Sequence, residues 1–426
     1  MNFESLCVLG LGYIGLPTAS TFATHGMHVI GVDTNPKIVK SLNNGHVHLF
    51  EPGLRTLVQA AIHSENLVIR SKPEIADAFI IAVPTPFKEG KLADLSFVIS
   101  AAEAIAQVLE KGNLVILEST SPPRTTVDIV APILEKSGLK AGDDFYLAYS
   151  PERVLPGQIL RELIENARVI GGIEPSSAKA GQALYSTFVR GEIILTDATT
   201  AEMVKLMENT YRDINIAAAN EFSRLASRFE VDIWEAISLA NRHPRVEILN
   251  PGPGVGGHCI SVDPWFFVEA APDLSNLIKN ARLVNDRQPQ FVIQSLQKIC
   301  GPLNAKKVAL LGMAYKPNVD DLRESPAITV AKELIKQGSE VVIYEPFNSQ
   351  FTINGAVSAG SLEQAIQGAD VIVLLVAHTK LTEIDPHELQ PRLKRTVVFD
   401  TVNGWDPLDW EQAGFTYYRL GDGKNS

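Results

Sequence analysis

Short runs of Val, Ile and Leu recur along the chain, each ending at a glycine turn or polar residue and followed by a helix-compatible stretch. Near the start, SLCVLGLGYIG (Ser5–Gly15) enters a glycine turn, and HVIGVD then closes on Asp33. IADAFIIAVPTP (Ile75–Pro86) and GNLVILESTSP (Gly112–Pro122) continue the series. Strands covered on both faces read as continuous apolar runs, so the pattern predicts parallel sheets with helices between the strands. It then repeats. KKVALLGMAY (Lys306–Tyr315) leads to SEVVIYEP, with Glu345 at the end matching Asp33. GADVIVLLVAHT (Gly368–Thr379) parallels Ile75–Pro86, and RTVVFDTVNGW (Arg395–Trp405) parallels Gly112–Pro122.

Between the copies, Glu192 to His243 holds neither Gly nor Pro, the residues that most readily end a helix. Met203, Leu206, Met207, Tyr211 and Ile214 recur there at helical spacing. The expected fold is α/β: two Rossmann-like doubly wound parallel-sheet domains joined by a central helical domain. The expected boundaries are 1–195, 196–299 and 300–426. The polar tail Gly421–Ser426 is expected to fray.

A chain of 426 residues exceeds what one core usually organises, in keeping with that division. The net charge of −11 comes without a basic block, so no nucleic-acid partner is expected. No apolar run approaches the roughly 20 residues that cross a bilayer, and Met1–Gly12 lacks the basic segment of a secretory signal. Three cysteines without CxxC spacing make neither a disulfide framework nor a zinc site. A cytoplasmic chain with no metal and no membrane partner is the expectation.

Gly10, Gly12 and Gly15 form GxGxxG at a strand-to-helix junction, and Asp33 ends the next strand. In that context the glycines permit a tight turn and close approach of a pyrophosphate to a helix N-terminus, where anions are favoured. Asp33 suits the ribose hydroxyls of NAD and would repel the extra phosphate of NADP, and Thr34-Asn35-Pro36 brings no cation to reverse that. In the second copy the turn is reduced to Gly312-Met313-Ala314, which argues against a second complete dinucleotide. A mononucleotide or diphosphate moiety is the more economical expectation there.

Cys7 lies mid-strand and Cys300 at an expected domain boundary, and both read as small buried groups. Cys259 instead follows PGPGVGGH (Pro251–His258), a glycine-rich loop that leaves backbone N–H groups near a ligand. A thiol so placed suits nucleophilic catalysis, and Asp263 would share its face if a helical turn follows. A structural loop with an inert thiol stays open on these residues alone. Lys205, Asn209 and Arg212 fall on one helix face, opposite most of the apolar positions, which could equally be a solvated face. Glu152 follows the strand FYLAY, and Thr85 and Thr120 also follow strands, where open α/β sheets place their ligands.

Read together, GLGYIGLP (Gly10–Pro17), VPTP (Val83–Pro86), EST (Glu118–Thr120), SPER (Ser150–Arg153), KLMEN (Lys205–Asn209), GGHCISVDP (Gly256–Pro264) and AYKPNVDDLRESP (Ala314–Pro326) resemble the UDP-glucose/GDP-mannose dehydrogenase family. The resemblance spans nearly the whole chain. It implies a twofold, NAD-dependent oxidation of a nucleotide sugar's primary alcohol to a carboxylate, through a Cys259 thiohemiacetal and thioester. By the same resemblance Lys205 is acid/base or oxyanion stabiliser, with Asn209 beside it. Asp263 positions water or the lysine, Glu152 assists hydrolysis and Thr120 lines the nicotinamide pocket. Tyr13, Ile14, Asp33, Thr85 and Arg323 match cofactor-contacting positions, and Tyr315 and Lys316 match substrate-contacting ones. A central dimerisation domain and a C-terminal UDP-sugar-binding domain are implied as well.

Asn241-Arg242-His243-Pro244-Arg245-Val246, with SPERVLPG (Ser150–Gly157) and VPTPF (Val83–Phe87), resembles members acting on UDP-N-acetylmannosamine more than those acting on UDP-glucose. That resemblance implies substrate contacts from Arg153, Val154, Arg212, His243, Arg245 and Gly256. His243 and Arg245 would reach the sugar nucleotide from a neighbouring subunit, hence a homodimer or higher oligomer. UDP-N-acetylglucosamine, UDP-glucose and GDP-mannose are the alternatives within the family. Outside it stand a single-step hydroxyacid dehydrogenase, which needs no cysteine, and a non-catalytic NAD-sensing protein. Some relatives carry a basic residue just after the last-strand Asp, where this chain has Asp400-Thr401-Val402-Asn403.

Overall fold

The computed structural model describes residues 3–49 and 51–424. Its first sheet holds β1 (Ser5–Leu9), β2 (His28–Val32), β3 (Leu67–Arg70), β4 (Ala78–Ile81), β5 (Leu114–Leu117), β6 (Tyr146–Tyr149), β7 (Arg168–Gly172) and β8 (Ile193–Asp197). The second holds β9 (Lys307–Leu311), β10 (Glu340–Tyr344), β11 (Ala356–Ser358), β12 (Val371–Leu374), β13 (Val397–Asp400) and β14 (Thr416–Arg419). Their orders are β3-β2-β1-β4-β5-β6-β7-β8 and β11-β10-β9-β12-β13-β14, so each contains the doubly wound arrangement once.

Side chains alternate across each sheet because successive Cβ atoms point to opposite faces. Leu6 and Val8 join one core while Cys7 and Leu9 join the other. In the second sheet Val308 and Leu310 face one core and Ala309 and Leu311 the opposite one. Both faces of both sheets are therefore buried, which is why the strands are apolar without alternation. Each fully buried Leu or Ile contributes roughly 1.5–3 kcal/mol.

One pairing departs from the parallel pattern. β7 runs antiparallel to β6, with Ala148 opposite Gly172 and Tyr149 opposite Gly171. The connection 150–167 turns back at the edge where β6 ends instead of crossing over the sheet, and a parallel partner would need that crossover.

The chain folds as two compact units. The first runs to Glu208 and takes in Trp265–Pro272; the second comprises Asn209–Pro264 and the chain from Asp273 onward. The Gly- and Pro-free run is not all helix: it opens with β8, continues as the long helix Ala198–Phe229, which begins in the first unit and ends in the second, and closes with the helix Ile233–Ala240. Burial along the long helix follows neither stripe of the spacing: Lys205 is buried with Leu206 while Arg212 is exposed, and Met203, Met207 and Tyr211 are 40%, 56% and 69% exposed. Val292, Ile293 and Leu296 of the helix Gln288–Cys300 join the core of the second sheet.

The tail is more ordered than its composition suggests. Gly421 O accepts from Ile233 N–H at 2.9 Å, Asp422 accepts from the Arg419 and Lys424 N–H groups, and Lys424 pairs with Glu411. Asn425 and Ser426 lie outside the described residues. Among the described residues no helix is long and apolar enough to cross a membrane.

Candidate active site

The turn after β1 is built by contact between two glycines. A Cβ on Gly15 would fall 1.8 Å from Gly10 O, so only glycine lets the helix Gly15–Thr24 start against the strand end. Gly12 is open by contrast, with nothing within 4 Å of where its Cβ would stand. The helix carries no side-chain cap and no acid in its first turn, leaving its positive end for an anion. Asp33 is pinned beside the turn: Oδ2 accepts from Leu11 N–H at 3.1 Å and Oδ1 from Asn35 N–H at 2.8 Å. Each carboxylate oxygen keeps a second lone pair for a ribose hydroxyl. These residues fit the adenosine diphosphate half of NAD, with Tyr13 and Ile14 half-buried in the turn. Across the switch point, Thr85 Oγ1 donates to Thr120 O at 2.7 Å and ties the loops after β4 and β5 together.

The matching acid of the second sheet does something else. Glu345 turns inward: Oε2 accepts from Met313 and Ala314 N–H at 2.7 and 3.0 Å, and Oε1 from Phe347 N–H at 2.9 Å. His378 Nε2 lies 3.1 Å from Oε2. Burial pushes this carboxyl up, but His378 and the N–H groups outweigh it and hold it below the usual range. His378 Nδ1 accepts from Asn318 N–H at 2.9 Å, so Nε2 carries the proton and donates to Glu345. With three donors on Oε2 and only 4% of the residue exposed, Glu345 is poorly placed to reach a ribose, a physical reason to expect no second dinucleotide.

Beyond that turn, Tyr315 N–H donates to Asp321 O at 3.0 Å, and the Lys316 ammonium stands 5.9 Å over the Tyr315 ring. Arg323 grips Asp321 through Nε at 2.9 Å and Nη2 at 2.6 Å. It belongs to the second unit, whereas the glycine turn and Asp33 belong to the first.

The loop bearing Cys259 packs against this segment. Gly257 has φ +85° and a Cβ there would stand 2.8 Å from the Tyr315 ring; its N–H donates to Arg323 O at 3.0 Å. Gly256 rests on Pro326 and Glu324 O. At the loop's start, Gly252 N–H donates to Asn220 Oδ1 at 2.9 Å. Asn220 then donates to Asn285 Oδ1 at 2.9 Å, Asn285 to Asp213 Oδ1 at 2.7 Å, and Arg282 pairs with the same oxygen at 2.5 Å. Sequence reading missed this buried ladder, whose side chains come from two helices, Ala198–Phe229 and Asn276–Asp286, and pair across 65–72 residues of sequence.

Cys259 is half-buried, and its carbonyl accepts from Val262 and Asp263 N–H at 3.0 and 2.8 Å, so a helical turn does follow it. Asp263 opens the helix Asp263–Ala270 at 1% exposure, and Asn209 donates to its Oδ2 at 2.6 Å. The structure thus joins Asn209 and Asp263. The other two cysteines are inert by environment: burial pushes the Cys7 thiol up to about 12 and raises Cys300 as well.

At the end of β6, Glu152 Oε2 pairs with Arg168 at 2.7 Å. Arg153 pairs with Glu208 at 2.7 Å, and Val154 packs on the first core. Arg168 and Glu118 were missed as site residues. Glu118 stood in the EST motif without a role, and an arginine opening an apolar strand leaves no local signal. Arg212, His243 and Arg245 are exposed. Next to the turn after Asp400, Arg419 of β14 donates to Asn403 Oδ1 at 2.6 Å while paired with Asp232.

Comparison with known proteins follows the same architecture. The NAD binding, central and UDP binding domain models of the UDP-glucose/GDP-mannose dehydrogenase family match residues 4–189, 199–287 and 309–407. The chain is 50% identical to UDP-N-acetyl-D-mannosamine dehydrogenase of Methanocaldococcus jannaschii, over 99% of this chain and 98% of that one. It is 47% identical to NDP-N-acetyl-D-galactosaminuronic acid dehydrogenase of Ralstonia solanacearum, over 95% and 97%. The solved UDP-D-ManNAc dehydrogenase of Pyrococcus horikoshii superposes with a TM-score of 0.90 at 40% identity, covering 98% of this chain and 99% of that one. With both glycine turns, the acid after β2 and the cysteine loop in their places, the chain belongs to the UDP-glucose/GDP-mannose dehydrogenase family and is an NAD-dependent nucleotide-sugar dehydrogenase.

Proposed function

We propose that this chain oxidises the C6 hydroxymethyl of UDP-N-acetyl-D-mannosamine twice, to UDP-N-acetyl-D-mannosaminuronate, with Cys259 as covalent nucleophile. The observation that carries the reading is the setting of Cys259: half-buried on a turn that Asp263 closes, with Asp263 bonded to Asn209, while Cys7 and Cys300 are kept as thiols by burial. The names of the Methanocaldococcus and Pyrococcus relatives support the sugar. The Ralstonia relative favours, as second reading, another N-acetylated nucleotide sugar.

NAD, when bound, would supply the hydride acceptor for each oxidation, two NAD per sugar. Cys259 Sγ bonds to the C6 aldehyde as a thiohemiacetal, the second oxidation leaves a thioester, and water cleaves it. Lys205, withdrawn from water on its helix, stabilises the developing oxyanion or exchanges its proton, with Asn209 beside it. Asp263 orients Asn209 and positions water or the lysine, Glu152 assists hydrolysis, and Thr120 lines the nicotinamide pocket. Gly10, Gly12, Tyr13, Ile14, Gly15, Asp33, Thr85 and Arg323 hold the cofactor. Arg153, Val154, Arg212, His243, Arg245, Gly256, Tyr315 and Lys316 hold the sugar nucleotide.

The reading includes at least a homodimer, which the exposed Met207 and Tyr211, and Leu274 at 82% exposure, support. It also includes a cytoplasmic location and the division of labour among 1–195, 196–299 and 300–426.

The test is to supply UDP-N-acetylmannosamine and NAD and count NADH formed per sugar consumed. Two NADH, with a Cys259→Ala variant that stalls, is the expected outcome. Two NADH only with another nucleotide sugar overturns the substrate and leaves the mechanism. One NADH, unaffected by loss of Cys259, overturns the mechanism.

A further inference from the structure

Three charged side chains meet out of water at the edge of the first sheet where its parallel strands end. Glu118 follows β5, Glu152 follows β6, and Arg168 opens β7. Only because β7 runs against β6 does its first residue lie at that edge. Arg168 is 5% exposed and reaches both carboxylates: Nη2 to Glu152 Oε2 at 2.7 Å, and Nη1 to Glu118 Oε1 at 3.2 Å and Ser150 Oγ at 3.0 Å. Its guanidinium stands 4.1 Å over the Tyr185 ring, and the Tyr185 hydroxyl donates to Glu118 Oε1. The other oxygen of Glu152 accepts from Arg153 N–H at 2.7 Å. Glu118 Oε2 is buried with no hydrogen-bond partner among the described residues.

Two carboxylates therefore share one guanidinium. As a purely structural device this is a poor choice, because a buried charge cluster is often no more stable than apolar packing of the same volume. An extra acid with an orphaned oxygen makes it worse. Such arrangements concentrate where a reaction needs them.

We infer that Arg168 is a positioning residue for the hydrolytic half of the reaction, holding the Glu152 carboxylate in place, and that the proton on Glu118 sets how firmly it is held. The inference rests on the thioester reading given above. In that step a water oxygen bonds to the acyl carbon, its proton passes to Glu152, the C–S bond breaks, and Cys259 leaves as thiolate. No oxidant or reductant is consumed. With Glu118 protonated, the whole charge of Arg168 faces Glu152 and keeps that carboxylate in its ion pair. With Glu118 ionised the charge is divided, and the pair still fixes where Glu152 stands while leaving its oxygen open to the attacking water. The titratable and charged groups facing Glu118 are Arg168, Tyr185 and Glu152, and the geometry shows the same set around Arg168. Burial pushes Glu118 up to about 7, so the switch operates near neutrality.

The experiment is rapid-quench turnover with nucleotide sugar and NAD, following NADH optically and the acylated Cys259 by intact-protein mass. Arg168→Gln is expected to leave both oxidations near the wild-type rate and to slow hydrolysis on the order of tenfold to a hundredfold, part of the ~10²–10⁴ a positioned base provides. The acyl-enzyme then accumulates. Unchanged hydrolysis, or oxidation slowed as much as hydrolysis, overturns the inference. Should Arg168→Gln not fold, Glu118→Gln decides. Wild-type hydrolysis is expected to rise through pH of about 7 and the variant to be flat there; equal slopes overturn the inference. A wild type that never forms an acyl-enzyme removes the thioester reading and this inference with it. That outcome differs from an acyl-enzyme whose hydrolysis ignores Arg168.

Discussion

A buried carboxyl with too few partners makes stability depend on pH as well as chemistry. Burial holds Glu118 at about 7, above its ordinary 4.5, so between those values the folded chain keeps a proton that the unfolded chain has released. The folded state binds more protons there, and stability from this group falls as pH rises from 4.5 to about 7 and is flat above. Glu118→Gln removes that loss, so the variant is expected to gain on wild type, by on the order of 1–3 kcal/mol, between about pH 5 and about pH 8. Thermal melts of both proteins at the two values check it; a difference that ignores pH refutes it. Gly257→Ala places a methyl 2.8 Å from the Tyr315 ring at φ +85°. It is expected to cost about 1–3 kcal/mol and to lower kcat by disturbing the Cys259 loop. Melting and NADH production measured on the same preparation would show it, and an unchanged kcat would count against the loop's role. Cys259 and Gly257 were legible because their chemistry is local, a thiol after a run of glycines. Glu118 and Arg168 were not, because their pairing joins residues 50 apart through a strand whose direction no local pattern announces.

At the scale of elements, the Cys259 loop is tied to the helix Ala198–Phe229 at both ends, through Asn220 at Gly252 and Asn209 at Asp263. Asn220 accepts from Gly252 N–H and donates to Asn285, which rests in turn on Asp213 and Arg282. Asn220→Ala strands a backbone donor and a buried amide, so a loss of about 1–3 kcal/mol is expected. The loop it releases should also let Cys259 alkylate faster with iodoacetamide, while Cys7, buried in its strand, stays unlabelled. Peptide mapping of the label checks both, and no change at Cys259 means the ladder serves the helices alone. Strands were legible as apolar runs because both sheet faces are covered, and the long helix because nothing in it breaks a helix. The facing of that helix was not legible. Spacing gives two stripes, but what is buried depends on what packs there, and the structure buries Lys205 while leaving Met207 exposed.

For the whole molecule, the chain uses one architecture twice and gives the copies different tasks. Both sheets carry a turn after the first strand and an acid after the second, and the repeat was legible because those features sit at matching positions. The lost glycines hinted that the copies differ; the reason lies in where each acid points. Asp33 accepts two N–H bonds at the open Gly12 turn, whereas Glu345 is closed off by Met313, Ala314, Phe347 and His378. No pattern in the second copy announces His378, which comes to Glu345 only through the parallel pairing of β12, β9 and β10. One dinucleotide per chain is therefore the expectation. Asp33→Ser is expected to weaken NAD on the order of tenfold, the value of one hydrogen bond to a charged group. The same change should narrow the preference for NAD over NADP, since the repelling charge is gone. Glu345→Gln replaces an acceptor of four N–H groups with an amide that cannot accept on both sides, so it should lower Tm. Its effect on NAD affinity should stay within about twofold, below one hydrogen bond's worth. Titration calorimetry of wild type and both variants measures stoichiometry and affinity together. A second NAD equivalent, or an NAD affinity that collapses with Glu345→Gln, would mean that the second glycine turn holds a dinucleotide after all.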